Sequence, residues 1–125
     1  MTQKEVAISY LEHLENGNMD QVIKLFNING MVHSPIYGNM KAEKFYRGLK
    51  SDTTNSKLNL IGIFEENDAS RLALYFSYDW TLKNNQNVKF DVVDIIEFDP
   101  LNKISQLKII YDTVLARKLV KRLKK

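Results

Sequence analysis

Apolar residues along this chain recur first at helical spacing and then, from about residue 57, at strand spacing. Val6, Ala7, Tyr10, Leu11 and Leu14 follow Thr2, and Glu5 completes a capping-box pattern with Thr2. Asn16-Gly17 marks the stop, because glycine takes the left-handed conformation that closes many helices. Asn18 and Gln21 suggest a second cap, ahead of a short helix through Val22, Ile23, Leu25 and Phe26 that Asn29-Gly30 ends. Met31 to Gly38 reads as an extended segment broken by Pro35 and Gly38. Lys41 to Lys50 places Ala42, Phe45, Tyr46 and Leu49 on one side of a third helix, and Ser51 to Ser56 reads as a polar loop.

Beyond that loop Leu58, Leu60, Gly62 and Phe64 alternate with other residues. Leu72, Leu74, Phe76, Tyr78, Trp80 and Leu82 form a longer alternating stripe. Val88 to Phe98 and Ile104 to Tyr111 supply two more strands, with turns at Glu65 to Asp68, Asn84 to Asn87 and Asp99 to Asn102. Val114 to Leu123 has the spacing of a terminal helix. Three helices with one strand among them, then four strands in meander, predict an α+β fold with a mostly antiparallel sheet. Helices over one face of such a sheet leave room for a blind pocket if the sheet curves.

The chain's 125 residues suit one domain, and 44% hydrophobic with 26% charged residues excludes disordered and low-complexity classes. Zero Cys excludes disulfides, thiolate nucleophiles and Cys-based metal sites. No apolar signal core follows Met1-Thr2-Gln3-Lys4-Glu5 and no run is long enough to span a membrane, so a cytoplasmic protein is expected. The net charge of +3 conceals an asymmetry. Residues 113–125 carry Arg117, Lys118, Lys121, Arg122, Lys124 and Lys125 without an acid, leaving 12 of the 18 basic residues against all 15 acidic ones, a net of −3, in the first 112. Residues 1–112 are therefore read as the domain and 113–125 as a basic helix packed on it or extending from it. No aromatic residue interleaves the tail's charges, so neither nucleic acid nor a membrane is the expected partner.

Asp94 is the most informative residue. In the strand Phe90 to Phe98 it shares a face with Phe90, Val92, Ile96 and Phe98, one carboxyl amid an apolar stripe. Desolvation there penalises the charged form, and a protonated Asp94 could donate a hydrogen bond to a substrate oxygen. The other reading is a structural carboxyl that satisfies a buried group, and the pattern does not separate the two. Tyr10 sits on the apolar side of the first helix and would aim its hydroxyl at the same interior, as half of an oxyanion-binding pair or as a core tyrosine bonded to one neighbour. His33 is a candidate general base or an ordinary edge histidine, and Ser34 stands beside it before Pro35. Phe26, Tyr46, Phe76, Tyr78 and Trp80 read as core and, with Ser34, as candidate ligand-binding residues. Two His twenty positions apart make no metal pair, and the scattered glycines make no phosphate loop, so no metal, nucleotide or other cofactor is expected.

The stretches Tyr10-Leu-Glu-His-Leu-Glu-Asn-Gly17-Asn-Met-Asp20 and Val32-His-Ser-Pro35-Ile-Tyr-Gly38 resemble the SnoaL-like, ketosteroid-isomerase-like branch of the nuclear-transport-factor-two-like superfamily. So do Val92-Val-Asp94-Ile-Ile-Glu-Phe98-Asp, Lys103-Ile-Ser and Ile110-Tyr-Asp-Thr113, and the resemblance spans about residues 4–115. It implies a cone: a curved sheet wrapped by three helices around a deep apolar pocket. In the isomerases a tyrosine and a neutral aspartic acid polarise a carbonyl while a second carboxylate moves the proton. By motif Tyr10 matches the tyrosine, Asp94 the acid and Tyr46 a pocket tyrosine, but the position of the base is Ser34. The resemblance implies binding of a small apolar molecule that carries a carbonyl or hydroxyl, with isomerase- or cyclase-type proton transfer if there is turnover. The alternative is a non-catalytic dimerising or partner-binding module, a homodimer through the open sheet face near Tyr75, Ser77 and Tyr111.

Overall fold

A computed structural model describes residues 1–124; Lys125 of the basic tail lies outside the described residues. Helix α1 (Gln3–Glu15) begins where the capping box predicts, with Thr2 Oγ1 accepting from the Glu5 amide and Glu5 Oε1 from the Thr2 amide. Its stripe Val6, Ala7, Tyr10, Leu11 and Leu14 is buried, and Gly17 at φ +69° turns the chain into α2 (Met19–Lys24). Strand β1 (Phe26–Ser34) and strand β2 (Gly38–Lys41) form a hairpin that leads into α3 (Ala42–Ser51). Strands β3 (Thr53–Glu65), β4 (Arg71–Leu82), β5 (Asn87–Phe98) and β6 (Ile104–Ile110) follow as a meander, and α4 (Val114–Leu123) closes the chain.

The strands form one sheet in the order β2-β1-β6-β5-β4-β3. Among the described residues only β1 and β6 pair in parallel. The α+β class and the mostly antiparallel, curved sheet stand as expected, and the sheet is unclosed. Irregular registers between Thr53 and Asn55 and between Leu60 and Gly62 put bulges into β3, and such bulges bend a strand. The inner face of β4 is the alternating stripe Leu72, Leu74, Phe76, Tyr78, Trp80 and Leu82, all buried. Its leucines and phenylalanine stabilise the fold by about 1.5–3 kcal/mol each.

Four local expectations give way to non-local pairing. Phe26 opens β1 instead of closing α2, because it pairs with Ile104 and packs its ring 5.6 Å from that of Tyr46. Residues Gly38–Lys41 add a strand ahead of α3, paired with Met31–Ser34. Thr53 to Ser56, read as loop, are strand: Ser56 pairs with Trp80, and Thr53 and Ser56 bond the polar atoms of Trp80 and Tyr78. After the bulge at Leu60/Gly62 the alternation of β3 reverses, so Ile63 packs against the core and Phe64 points to solvent.

Helix α4 occupies its predicted span. Ala116 and Val120 are buried, Leu119 and Leu123 half-buried, and Val114 and Leu115 exposed. Ala116 and Val120 join the same hydrophobic core as the sheet and the first three helices. No helix among the described residues is long and apolar enough to cross a membrane.

Candidate functional site

Between the helices and the inner face of the sheet lies a cavity of about 50 Å³. Helix α1 contributes Tyr10 and Leu14, the β1–β2 turn Ser34 and Tyr37, and α3 Phe45 and Leu49. Strand β4 contributes Phe76, Tyr78 and Trp80, β5 contributes Phe90, Val92 and Asp94, and the end of the β6 segment Ile109 and Tyr111. Eight of these fourteen residues are aromatic, so the hollow is apolar with a few polar tips.

Those tips are mostly engaged by protein. The hydroxyls of Tyr10 and Tyr46 are 2.7 Å apart, and those of Tyr78 and Ser56 are 2.9 Å apart. Tyr37 donates to Asp52 Oδ2 at 2.7 Å, and Trp80 Nε1 donates to Thr53 Oγ1 at 2.8 Å. Ser34 Oγ accepts from the amides of Ile36 and Tyr37 and so fixes the turn after Pro35. Asp94 differs: it is 1% exposed and its Oδ1 has no hydrogen-bond partner among the described residues. It faces Leu74 across the ladder, with Val92 and Ile96 two positions away on its own strand. Burial pushes its carboxyl well above the usual carboxylate range, with no opposing charge to pull it back. Burial likewise raises Tyr10 and Tyr46 well above the ordinary phenol value and pushes Tyr78 up to about 12, so the cavity's phenols are donors.

The structure brings Tyr10, Asp94, Ser34, Phe76, Tyr78 and Trp80 to one cavity. Tyr46 and Phe26 lie behind the wall. Tyr46 is fully buried and bonds Tyr10 from the far side, so that if Tyr46 donates, the Tyr10 hydrogen is free to point inward. Phe26 packs on Tyr46. His33 faces away from the cavity and bonds the side chain of Gln106, because alternation along β1 sends His33 and Ser34 to opposite faces. Tyr111, read from sequence as part of an outer interface, lines the cavity and stacks on Phe90 with ring centroids 4.3 Å apart. Phe90 was legible as a neighbour of Asp94 on the strand face. Tyr37 sits in a turn, where no period marks it. Among the described residues no three His, Asp or Glu side chains gather as a metal site.

No protein-family model matches the sequence, and no curated protein matches it either. Solved structures do resemble the fold. A nuclear-transport-factor-two-like protein of unknown function from Burkholderia pseudomallei superposes with a TM-score of 0.82 at 13% identity, covering 95% of this chain and 98% of that one. The chain has the nuclear-transport-factor-two-like fold. A protein with a ketosteroid-isomerase-like fold from Catenulispora acidiphila, solved with trimethylamine, shares the nuclear-transport-factor-two-like arrangement with a TM-score of 0.78 at 13% identity, covering 93% of each chain. So does SalBIII, an epoxide hydrolase/cyclase-like enzyme of pyran ring formation in salinomycin, with a TM-score of 0.75 at 17% identity, covering 88% of this chain and 90% of that one.

Proposed function

We propose that this protein binds a small, mostly apolar molecule through a carbonyl or hydroxyl oxygen, with Asp94 as a neutral acid donating the hydrogen bond and Tyr10 beside it. The unpartnered Oδ1 of Asp94, buried in an otherwise aromatic hollow, carries the reading. A buried polar atom without a partner costs about 1–3 kcal/mol, which a ligand oxygen in the cavity would offset. Size narrows the ligand. Pockets for drug-sized molecules measure about 300–1,000 Å³, so a hollow of about 50 Å³ takes a few heavy atoms at rest and a single small ring such as cyclohexanone only with slight movement of its wall.

Binding is better supported than turnover. Asp94 is the one carboxyl on the wall, Ser34 is held by two backbone amides, and His33 faces the other side of the sheet. A two-carboxylate proton shuttle has no second member here. Isomerase- or cyclase-type chemistry would have to pass its proton through Asp94 alone.

Cyclohexanone labelled with ¹³C at its carbonyl tests this. Bound to the wild type, its carbonyl carbon should shift downfield. That shift should vanish in Asp94→Leu and weaken as pH rises through the raised titration of Asp94. An equal shift in Asp94→Leu, or no binding at millimolar ketone, sinks the reading.

A second reading concerns the outer sheet face. Tyr75, Val93 and Ile110 pair in a row across β4, β5 and β6 on the side away from the helices, and Ile110 is exposed. That apolar row favours a homodimer formed sheet to sheet. Light scattering on Tyr75→Glu tests it, and a wild type that scatters as a monomer at high concentration rejects it.

A further inference from the structure

Asp52 is as buried as Asp94, yet it lies off the cavity and plays no part in gripping a ligand oxygen. It caps the C-terminus of α3, where its amide returns to the carbonyls of Gly48 and Leu49. Its carboxylate collects three side chains from distant parts of the chain. The Tyr37 hydroxyl donates to Oδ2 at 2.7 Å, Lys124 Nζ reaches both oxygens at 3.0 Å, and Lys83 Nζ stands 3.7 Å from Oδ1. Tyr37 is the member that faces the cavity.

Helix α4 holds the same rim at a second point. Arg117 donates to the Pro35 carbonyl at 2.8 Å, and Pro35 lies inside the turn that Ser34 Oγ closes. Arg117 and Lys124 are seven residues apart, about 10 Å along a helix. One end of α4 is thus tied to the β1–β2 turn and the other to the α3–β3 junction, with Val120 buried between the two ties and Ala116 buried just ahead of the first. Both ties act on residues next to the cavity: Pro35 adjoins Ser34, and Asp52 bonds Tyr37.

We infer that Asp52 and Lys124 form a latch by which the basic helix α4 fixes Tyr37 and the Ser34–Tyr37 turn, and so limits the size of ligand the cavity admits. This rests on the cavity being the ligand site. Asp52 is a positioning residue: it touches no ligand and acts through Tyr37. Two features suit a latch that opens while the fold persists. The Lys124 side chain is more than half exposed, so its ammonium has a short path back to water on leaving Asp52. Lys83 stays near the carboxylate, so Asp52 is not left without a cation. The cavity as it stands is too small for a bicyclic ligand, and releasing the rim is the movement that enlarges it without unpacking the sheet.

The experiment compares two ketones, cyclohexanone and the larger 2-decalone, on wild type, Lys124→Ala, Asp52→Asn and Lys124→Arg. Amide hydrogen exchange at Ile36 and Tyr37 is followed in the same samples without ligand. Lys124→Ala and Asp52→Asn should raise the affinity ratio of 2-decalone to cyclohexanone by about fivefold or more and speed exchange at both amides. Lys124→Arg, which keeps the cation, should restore wild-type values. About 0.5 M NaCl should move the wild type toward Lys124→Ala and leave that variant unchanged. An unchanged ratio in both loosened variants overturns the latch, whether or not exchange quickens. Circular dichroism of each variant separates an opened rim from an unfolded chain. Failure of cyclohexanone to bind any of these proteins removes the ligand site and the latch's role with it, whereas cyclohexanone binding with an unchanged ratio overturns the latch alone.

Discussion

Asp52 and Asp94 have the same side chain and the same 1% exposure, yet they sit in opposite surroundings. Asp52 lies at a helix end among a phenol and two lysines, and its carboxylate is hydrogen-bonded on both oxygens. Asp94 lies mid-strand among hydrocarbon and aromatic rings, with Oδ1 unbonded. Burial alone therefore says little about what a carboxyl does. A satisfied carboxylate organises the fold around itself, whereas an unsatisfied acid costs stability and keeps its hydrogen-bonding capacity for something that arrives later.

Substitutions at the two positions should consequently move stability in opposite directions. Asp52→Ala strips the Tyr37 hydroxyl and the Lys124 ammonium of their acceptor and Lys83 of its counter-ion, and urea unfolding should show a loss of about 2–3 kcal/mol. Asp94→Leu removes an acid that bonds nothing through Oδ1 and extends hydrocarbon into the hollow, so a gain of about 1–2 kcal/mol is expected. A loss at Asp94 comparable to that at Asp52 would erase the contrast and return Asp94 to a structural role.

pH sharpens the same contrast. The folded-state titration of Asp94 is raised by burial, so its neutral form belongs to the native protein. Its contribution is fully present below the unfolded value of about 3.9, and is lost as pH rises from there through the raised folded value. The difference in unfolding free energy between wild type and Asp94→Asn should therefore fall with rising pH, by up to about 1.4 kcal/mol per unit within that window. A difference that stays flat from pH 4 to 8 means that the carboxyl is solvated.

Tyr10→Phe probes the hydroxyl pair behind the wall. It leaves the fully buried Tyr46 hydroxyl without its 2.7 Å partner, at a cost of about 1 kcal/mol in urea unfolding. Tyr46→Phe should cost about as much while leaving the Tyr10 hydroxyl in the cavity, so the pair also tests whether Tyr10 needs Tyr46 to orient it.

Sequence exposed one of the two carboxylates and concealed the other. Asp94 was legible because a period of two places a lone carboxyl on an apolar face, and that needs only its own strand. Tyr10 was legible by the same logic on a helix. Asp52 stood in the polar run Ser51 to Ser56, where no period distinguishes it, and two of its partners lie 15 and 72 residues away. The strand character of Thr53 to Ser56 and of Phe26 was concealed for the same reason, since both depend on pairing with distant strands. Local patterns carried the helices, the meander and the candidate acid. Contacts between turns and termini, which make the rim, leave no trace in spacing.

The smallest effect is expected where that rim meets solvent. Lys124→Ala removes a cation that is more than half exposed, and exposed ion pairs contribute about 0.2–1 kcal/mol. Asp52 keeps Tyr37 and Lys83, so the loss in urea unfolding should be near 0.5 kcal/mol and should shrink further in high salt. Its ratio to the Asp52→Ala loss is the informative quantity. A small lysine effect beside a large aspartate effect means that Tyr37 and the cap of α3 hold Asp52 in place while Lys124 adds a reversible tie. Equal losses mean that α4 is bound into the core as firmly as the strands, and that the basic helix cannot release without unfolding the domain.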